Sequence, residues 1–147
     1  MIHVGRLTED GFKRGVERYA SMLPSGWKLR LDAVAAGKQA TVAARRAAET
    51  ESLLSRVPKG AEAVALDPAG ERMDSQAFGR WLAGLKDRGQ RVAFLVGGAH
   101  GFDPGRTARL KRLSLSEMTL PHELATTVLA EQIYRASCAY IGKAYAK

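Results

Sequence analysis

Apolar positions along the chain switch between two periods, and each switch marks an element. Ile2-His3-Val4 reads as a short strand that Gly5 ends. Phe12, Val16, Tyr19 and Leu23 then recur at spacings of four, three and four, one face of a helix stopped by Pro24. Trp27 to Ala33 alternates apolar with charged residues. That pattern predicts a strand with one face solvated or covered only by polar partners. From about Gln39 to Arg56 an Ala-, Arg- and Glu-rich stretch predicts a helix whose apolar face is Val42, Ala43, Ala47 and Leu54. Pro58-Lys59-Gly60 ends it, and Ala61 to Leu66 follows as a strand. Asp67-Pro68-Ala69-Gly70 predicts a turn, because Pro presets φ and Gly accepts positive φ.

Asp74 or Ser75 caps the next predicted helix, whose Phe78, Trp81, Leu82 and Leu85 follow the i, i+3, i+4, i+7 pattern up to Gly89. Val92 to Val96 is uninterruptedly apolar, as expected for a central strand covered on both faces. Gly97-Gly98-Ala99-His100-Gly101 follows it. Asp103-Pro104 then starts a short helix to about Arg112, with Asp as cap and Pro at the first helical position. A last helix begins around Pro121, with Leu129, Ile133, Ala136 and Tyr140 as its buried stripe. Strands alternating with helices predict an α/β fold built on a mostly parallel sheet. With 147 residues and no linker or repeat, a single domain spanning 1–147 is expected.

Composition adds a polyanion bias. The charge is +8, from 23 Lys and Arg against 15 Asp and Glu, and such a field favours polyanionic partners. The basic residues are dispersed, so a solvated basic surface fits the charge equally well. Cys138 is the only cysteine, which rules out an internal disulfide; its setting in a helical pattern predicts a small buried packing residue. Met1 to Leu7 lacks the apolar run of a signal peptide, and no apolar stretch approaches a membrane span. A cytoplasmic protein without membrane contact is expected.

Candidate chemistry falls on three loops. Asp67 to Gly70 and Gly97 to Gly101 each follow a strand, where α/β sheets bind ligands and where glycine admits close backbone approach. Neither spells the Rossmann fingerprint, no Walker loop is present, and Gly97-Gly98 suits a tight turn as well as a binding loop. Leu115 to Leu124 mixes apolar residues with Ser and Thr before placing Pro121 and His122 at a helix start, where free N–H groups bind polar ligand atoms. His122 fits a plain hydrogen-bonding role in the first turn as readily as a ligand-facing one. Glu131 and Arg135 have the favourable i, i+4 order for an ion pair. His3, His100 and His122 are scattered, and no hydrolytic triad, zinc motif or carboxylate dyad occurs, so no metal is expected.

Four segments together resemble the RlmH family of SPOUT methyltransferases. Val64 to Gly70 with Ser75-Gln76-Ala77-Phe78 is similar to its Leu-Asp-x-x-Gly strand end and Ser-x-x-Phe helix. Phe94 to Gly101 resembles its glycine loop, Leu113 to His122 its Ser-Leu-Ser…Pro-His segment, and Glu131 to Ala136 its Glu-Gln-x-Tyr-Arg-Ala helix. Order and spacing are the family's, and the likeness extends to Val4 to Leu7 and Gly15 to Tyr19 near the start.

The resemblance implies a SPOUT-type sheet flanked by helices, a C-terminal deep trefoil knot within about 62–147, a homodimer, and S-adenosylmethionine as cofactor. It implies that backbone groups of Leu66, Gly98, Leu115, Ser116, Glu117, Met118, Thr119 and Leu120 hold that cofactor. The implied reaction methylates N3 of a pseudouridine in 23S rRNA of the assembled ribosome, with His122, Glu131, Tyr134, Arg135 and Tyr145 at the site. Departures are Thr126, where the family usually has Arg, and Ala146, where it usually has His; both bear on RNA engagement. The N-terminal strand is also shorter than the family's, which predicts a weaker sheet edge. Two other readings stand beside this one: a SPOUT RNA methyltransferase with another target, and a dimeric cofactor- or RNA-binding protein without turnover.

Overall fold

A computed structural model describes residues 1–145. Strands β1 (Ile2–Val4), β2 (Asp32–Val34), β3 (Ala61–Arg72), β4 (Arg91–Val96) and β5 (Lys111–Ser114) form one sheet in the order β2-β1-β4-β3-β5. Every pairing is parallel, as the strand–helix alternation predicts. Helices α1 (Asp10–Ser21), α3 (Ser75–Asp87) and α5 (His122–Tyr140) pack on one face, α2 (Val42–Ser55) and the short α4 (Pro104–Thr107) on the other.

Alternation along the strands divides the core between the two faces. Val64, Phe94 and Leu113 meet Val16, Phe78, Leu82 and Leu129 on the first face. Ile2, Val4, Ala65, Ala93 and Leu95 meet Leu53 and Phe102 on the second. The apolar run at β4 therefore lies centrally with both sides covered, as expected. Helix starts also follow the sequence: Asp74 accepts from Ala77 N–H at 2.6 Å and Asp103 from Arg106 N–H at 3.0 Å. Cys138 is buried as a packing residue.

Several elements depart from expectation. Only Asp32 and Ala33 of the alternating 27–33 stretch pair, in a strand that runs on to Val34, because β1 is short and offers three ladder positions. The expected turn at Asp67–Gly70 is instead an excursion within β3: Leu66 and Glu71 both register on Leu113, and the residues between them loop out. An Asx contact, Ala69 N–H to Asp67 Oδ1 at 2.9 Å, shapes that excursion. Helix α4 stops at Thr107, and Lys111–Ser114 forms an edge strand beside β3 rather than continuing the helix. Tyr140 is exposed, its hydroxyl donating to Asp87 at 2.6 Å, so the buried stripe of α5 ends before it. Finally, β1 is not itself an edge: it hydrogen-bonds to β2 and β4 on its two sides, so its shortness bears on the border only through the three-residue pairing it allows β2.

No helix among the described residues is long and apolar enough to cross a membrane.

Candidate cofactor cradle and helix α5 cluster

Register brings the candidate loops together. Leu66 aligns with Val96 of β4 on one side and Leu113 of β5 on the other. His3 aligns with Val96 in turn. Four parallel strands thus end in line, and the segments after them, from Gly5, Asp67, Gly97 and Leu115, emerge side by side at the carboxyl edge. Crossovers from β1 and β4 leave in opposite directions, toward β2 and β5, so that edge is a topological switch point, where α/β sheets bind ligands.

Two glycines are closely packed there, Gly70 against backbone and Gly98 against side chains. A Cβ on Gly70 would sit 2.7 Å from the backbone of Arg112 and Leu113, so the β3 excursion lies directly on β5. A Cβ on Gly98 would sit 2.7 Å from Glu49 Oε2 and 3.2 Å from Val4 Cγ1. The third loop is built locally: Ser114 Oγ donates to Ser116 O at 2.9 Å, and Met118 N–H donates to Ser116 Oγ at 3.0 Å. Leu115, Ser116 and Leu120 are half-buried, whereas Glu117, Met118 and Thr119 are exposed, Met118 at 76%. Ion pairs flank the cradle: Arg112–Asp67 at 3.6 Å, Lys111–Glu71 at 3.1 Å, and Arg72–Glu117. Glycine backbone, half-buried leucines and a serine turn suit a ligand that is part apolar and part amide-binding, such as an adenosyl group.

His122 opens α5 beside this edge, with its Nε2 3.8 Å from where a Gly5 Cβ would lie. That nitrogen is buried without a hydrogen-bond partner, while the side chain as a whole is 32% exposed. Its neighbour Glu123 fixes the helix start. Glu123 Oε1 accepts from Thr8 N–H at 3.0 Å and Thr8 Oγ at 2.7 Å, and Oε2 accepts from Glu9 N–H at 3.1 Å. These bonds, led by the one from Thr8 N–H, hold the Glu123 carboxyl below its ordinary pKa. They also satisfy donors at the entry of α1, where Glu9 provides no side-chain cap.

The remaining candidates gather elsewhere. Glu131 accepts from Arg135 at 2.7 and 3.1 Å and from Gln132 at 2.6 Å, the ion pair expected from the spacing. Tyr134 and Tyr145 meet edge to face at 4.8 Å, and the Arg135 guanidinium lies 5.0 Å over the Tyr145 ring. Burial first, then hydrogen bonding with Tyr19, pushes the Tyr145 phenol up to about 12. A groove of about 790 Å³ between α3 and α5 runs past Arg80, Gln132, Arg135 and Tyr145. A second cavity, of about 720 Å³, lies by Met1, Ala61 and Arg91, at the opposite end of the strands from the cradle.

The structure therefore brings Glu131, Tyr134, Arg135 and Tyr145 together but sets His122 apart, since about 20 Å of helix separates positions 122 and 135. Thr126 is fully buried, and its hydroxyl donates to the His122 carbonyl at 2.7 Å. The Ala146 departure lies outside the described residues. Among the described residues, no group of three or more His, Cys, Asp or Glu is placed to hold a metal ion.

Two buried polar residues escaped the sequence pattern. Glu49 and Thr50 of α2 face inward with Leu53, while Val42, expected on the apolar face, is 45% exposed. The usable signal was their distance of four and three residues from Leu53, the spacing of one helical face.

A parallel sheet with helices on both faces and glycine-bearing loops at its carboxyl edge places the protein among α/β folds of the kind that bind ligands at that edge. A family model described as "Predicted SPOUT methyltransferase" matches residues 1–145. The chain belongs to the SPOUT methyltransferases and, among them, to the RlmH family. It is 38% identical over 150 residues to the ribosomal RNA large subunit methyltransferase H of Gemmatimonas aurantiaca, covering 100% of this chain and 97% of that one. The protein of the same name from Verminephrobacter eiseniae is 39% identical over 148 residues, covering 99% and 96%. Among solved structures, a probable rRNA-methyltransferase from Porphyromonas gingivalis shares the fold, with a TM-score of 0.50 and 13% identity over 95% of this chain and 68% of that one.

Proposed function

We propose that this chain is an S-adenosylmethionine-dependent methyltransferase that modifies N3 of a pseudouridine in 23S rRNA of the assembled ribosome. The observation that carries the reading is the cradle: three loops meet at the aligned ends of β3, β4 and β5, one through Gly70 pressed on the β5 backbone and one through Gly98 packed on the Glu49 and Val4 side chains. Backbone groups at Leu66, Gly98 and Leu115 through Leu120 would hold the cofactor, in the knotted part of the chain within about 62–147. When bound, S-adenosylmethionine supplies an electrophilic methyl group.

The protein's own residues then have two tasks, orienting the target and handling the N3 proton. His122, with an imidazole one-third exposed beside the cradle, takes the proton-handling role. Glu131 fixes the Arg135 guanidinium, and Arg135 with Tyr134 and Tyr145 holds the RNA. Because one protomer separates His122 from Arg135, a homodimer that lays the α3–α5 groove of one copy near the cradle of the other would complete the site. The net charge of +8 suits docking on ribosomal RNA in the cytoplasm.

The test is transfer of labelled methyl groups from S-adenosylmethionine to intact ribosomes, free rRNA and free tRNA. Label on ribosomes from a strain lacking this activity is expected, and His122→Ala is expected to bind the cofactor while losing about 100-fold or more in transfer rate. Label on tRNA alone favours another target, for which the buried Thr126 in place of Arg is the supporting observation. Cofactor binding with no label on any RNA favours a binding protein without turnover.

A further inference from the structure

Behind the glycine loop lies a carboxylate that the proposed reaction does not use. Glu49 is only 5% exposed. Its Oε1 accepts from Gly37 N–H at 2.8 Å, and its Oε2 is buried with no hydrogen-bond partner. That oxygen is packed where a Gly98 side chain would be. No Lys, Arg or His forms an ion pair with Glu49 within 4.0 Å among the described residues.

Adjacent residues of α2 fasten the same loop from behind. Thr50, fully buried, accepts from Asp103 N–H at 2.9 Å, and Glu51 pairs with Arg106. The half-satisfied carboxylate thus lies buried between Gly37 and the glycine loop.

Burying an unpaired carboxylate is costly, and the cost falls when a cation enters nearby. The cofactor reading supplies one. The methyl donor carries a positive sulfonium, and the product left after transfer lacks both that charge and one methyl. We infer that Glu49 is a specificity-determining residue, its buried carboxylate behind Gly98 favouring the cationic methyl donor over the neutral product. A carboxylate this buried attracts a nearby cation with little screening by solvent. It would lower product affinity relative to donor affinity and so favour exchange after each turnover. This inference rests on the cofactor reading.

Calorimetric titration of the full chain with S-adenosylmethionine and with S-adenosylhomocysteine tests it. In Glu49→Gln, the dissociation constant of the donor is expected to rise by about five- to tenfold and that of the product by less than about twofold. A purely structural role would weaken both ligands equally. An equal change in both, or none in either, overturns the inference while leaving the cofactor reading intact. Glu49→Asp, which keeps the charge but draws it back by one methylene, serves as the second variant. It is expected to retain a reduced preference for the donor, and an equal loss for both ligands again overturns the inference. Binding of neither ligand to the wild-type protein overturns the cofactor reading and this inference with it.

Discussion

Glu123 illustrates how one side chain places another. Its carboxylate satisfies Thr8 and Glu9 at the entry of α1 and thereby holds the first turn of α5, with His122, beside Gly5. Because the folded protein lowers the Glu123 pKa from 4.5, the folded state binds fewer protons than the unfolded one as pH falls below that value. The stabilisation is full above 4.5 and is lost as pH drops through the folded-state value. Urea midpoints of Glu123→Gln are therefore expected below wild type at neutral pH, with the gap closing in acid. A gap independent of pH would contradict this. His122, Glu131 and Arg135 were legible as candidates because helix-start chemistry and i, i+4 spacing are local. The bonds from Thr8 to Glu123 were not, since they join positions 115 residues apart.

Among the elements, β3 and α2 carry the lessons. Pro68 and Gly70 read locally as a turn, and locally the chain does bend; only pairing with β5 reveals that the strand resumes at Glu71. The edge strand β5 is four residues long and follows a single helical turn, so its period was too short to separate from the helix before it. In α2, alanines blurred the apolar face, and the inward positions went to Glu49 and Thr50. The helices α1, α3 and α5 were legible because their periodic faces pack on the core, and β4 because its unbroken apolar run is covered on both sides. Gly70→Ala is expected to cost about 1–3 kcal/mol, because its methyl group would meet the backbone of Arg112 and Leu113 rather than a movable side chain. Denaturant melts measure that loss, and cofactor titration should show weaker binding than in wild type. Unchanged stability and affinity would contradict the close packing of β3 on β5.

For the molecule as a whole, sheet order does what sequence order conceals. Strand ends distant along the chain line up at His3, Val96, Leu66 and Leu113, and their loops become neighbours. Parallel pairing was predictable from alternating strands and helices, but the order β2-β1-β4-β3-β5 was not, because it depends on which crossovers pack on which face. The same architecture divides the chemistry, with a cradle and His122 at one edge and an Arg–Tyr cluster along α5 at some remove. The proposed methyl transfer to ribosomal pseudouridine would unite the two parts in one reaction. Mass spectrometry of the pseudouridine-containing fragment of 23S rRNA, after incubating ribosomes that lack the modification with this protein and S-adenosylmethionine, measures that reaction directly. The account predicts a gain of one methyl group on the pseudouridine base; an unmodified fragment, or a methyl group only on another nucleotide, would contradict it.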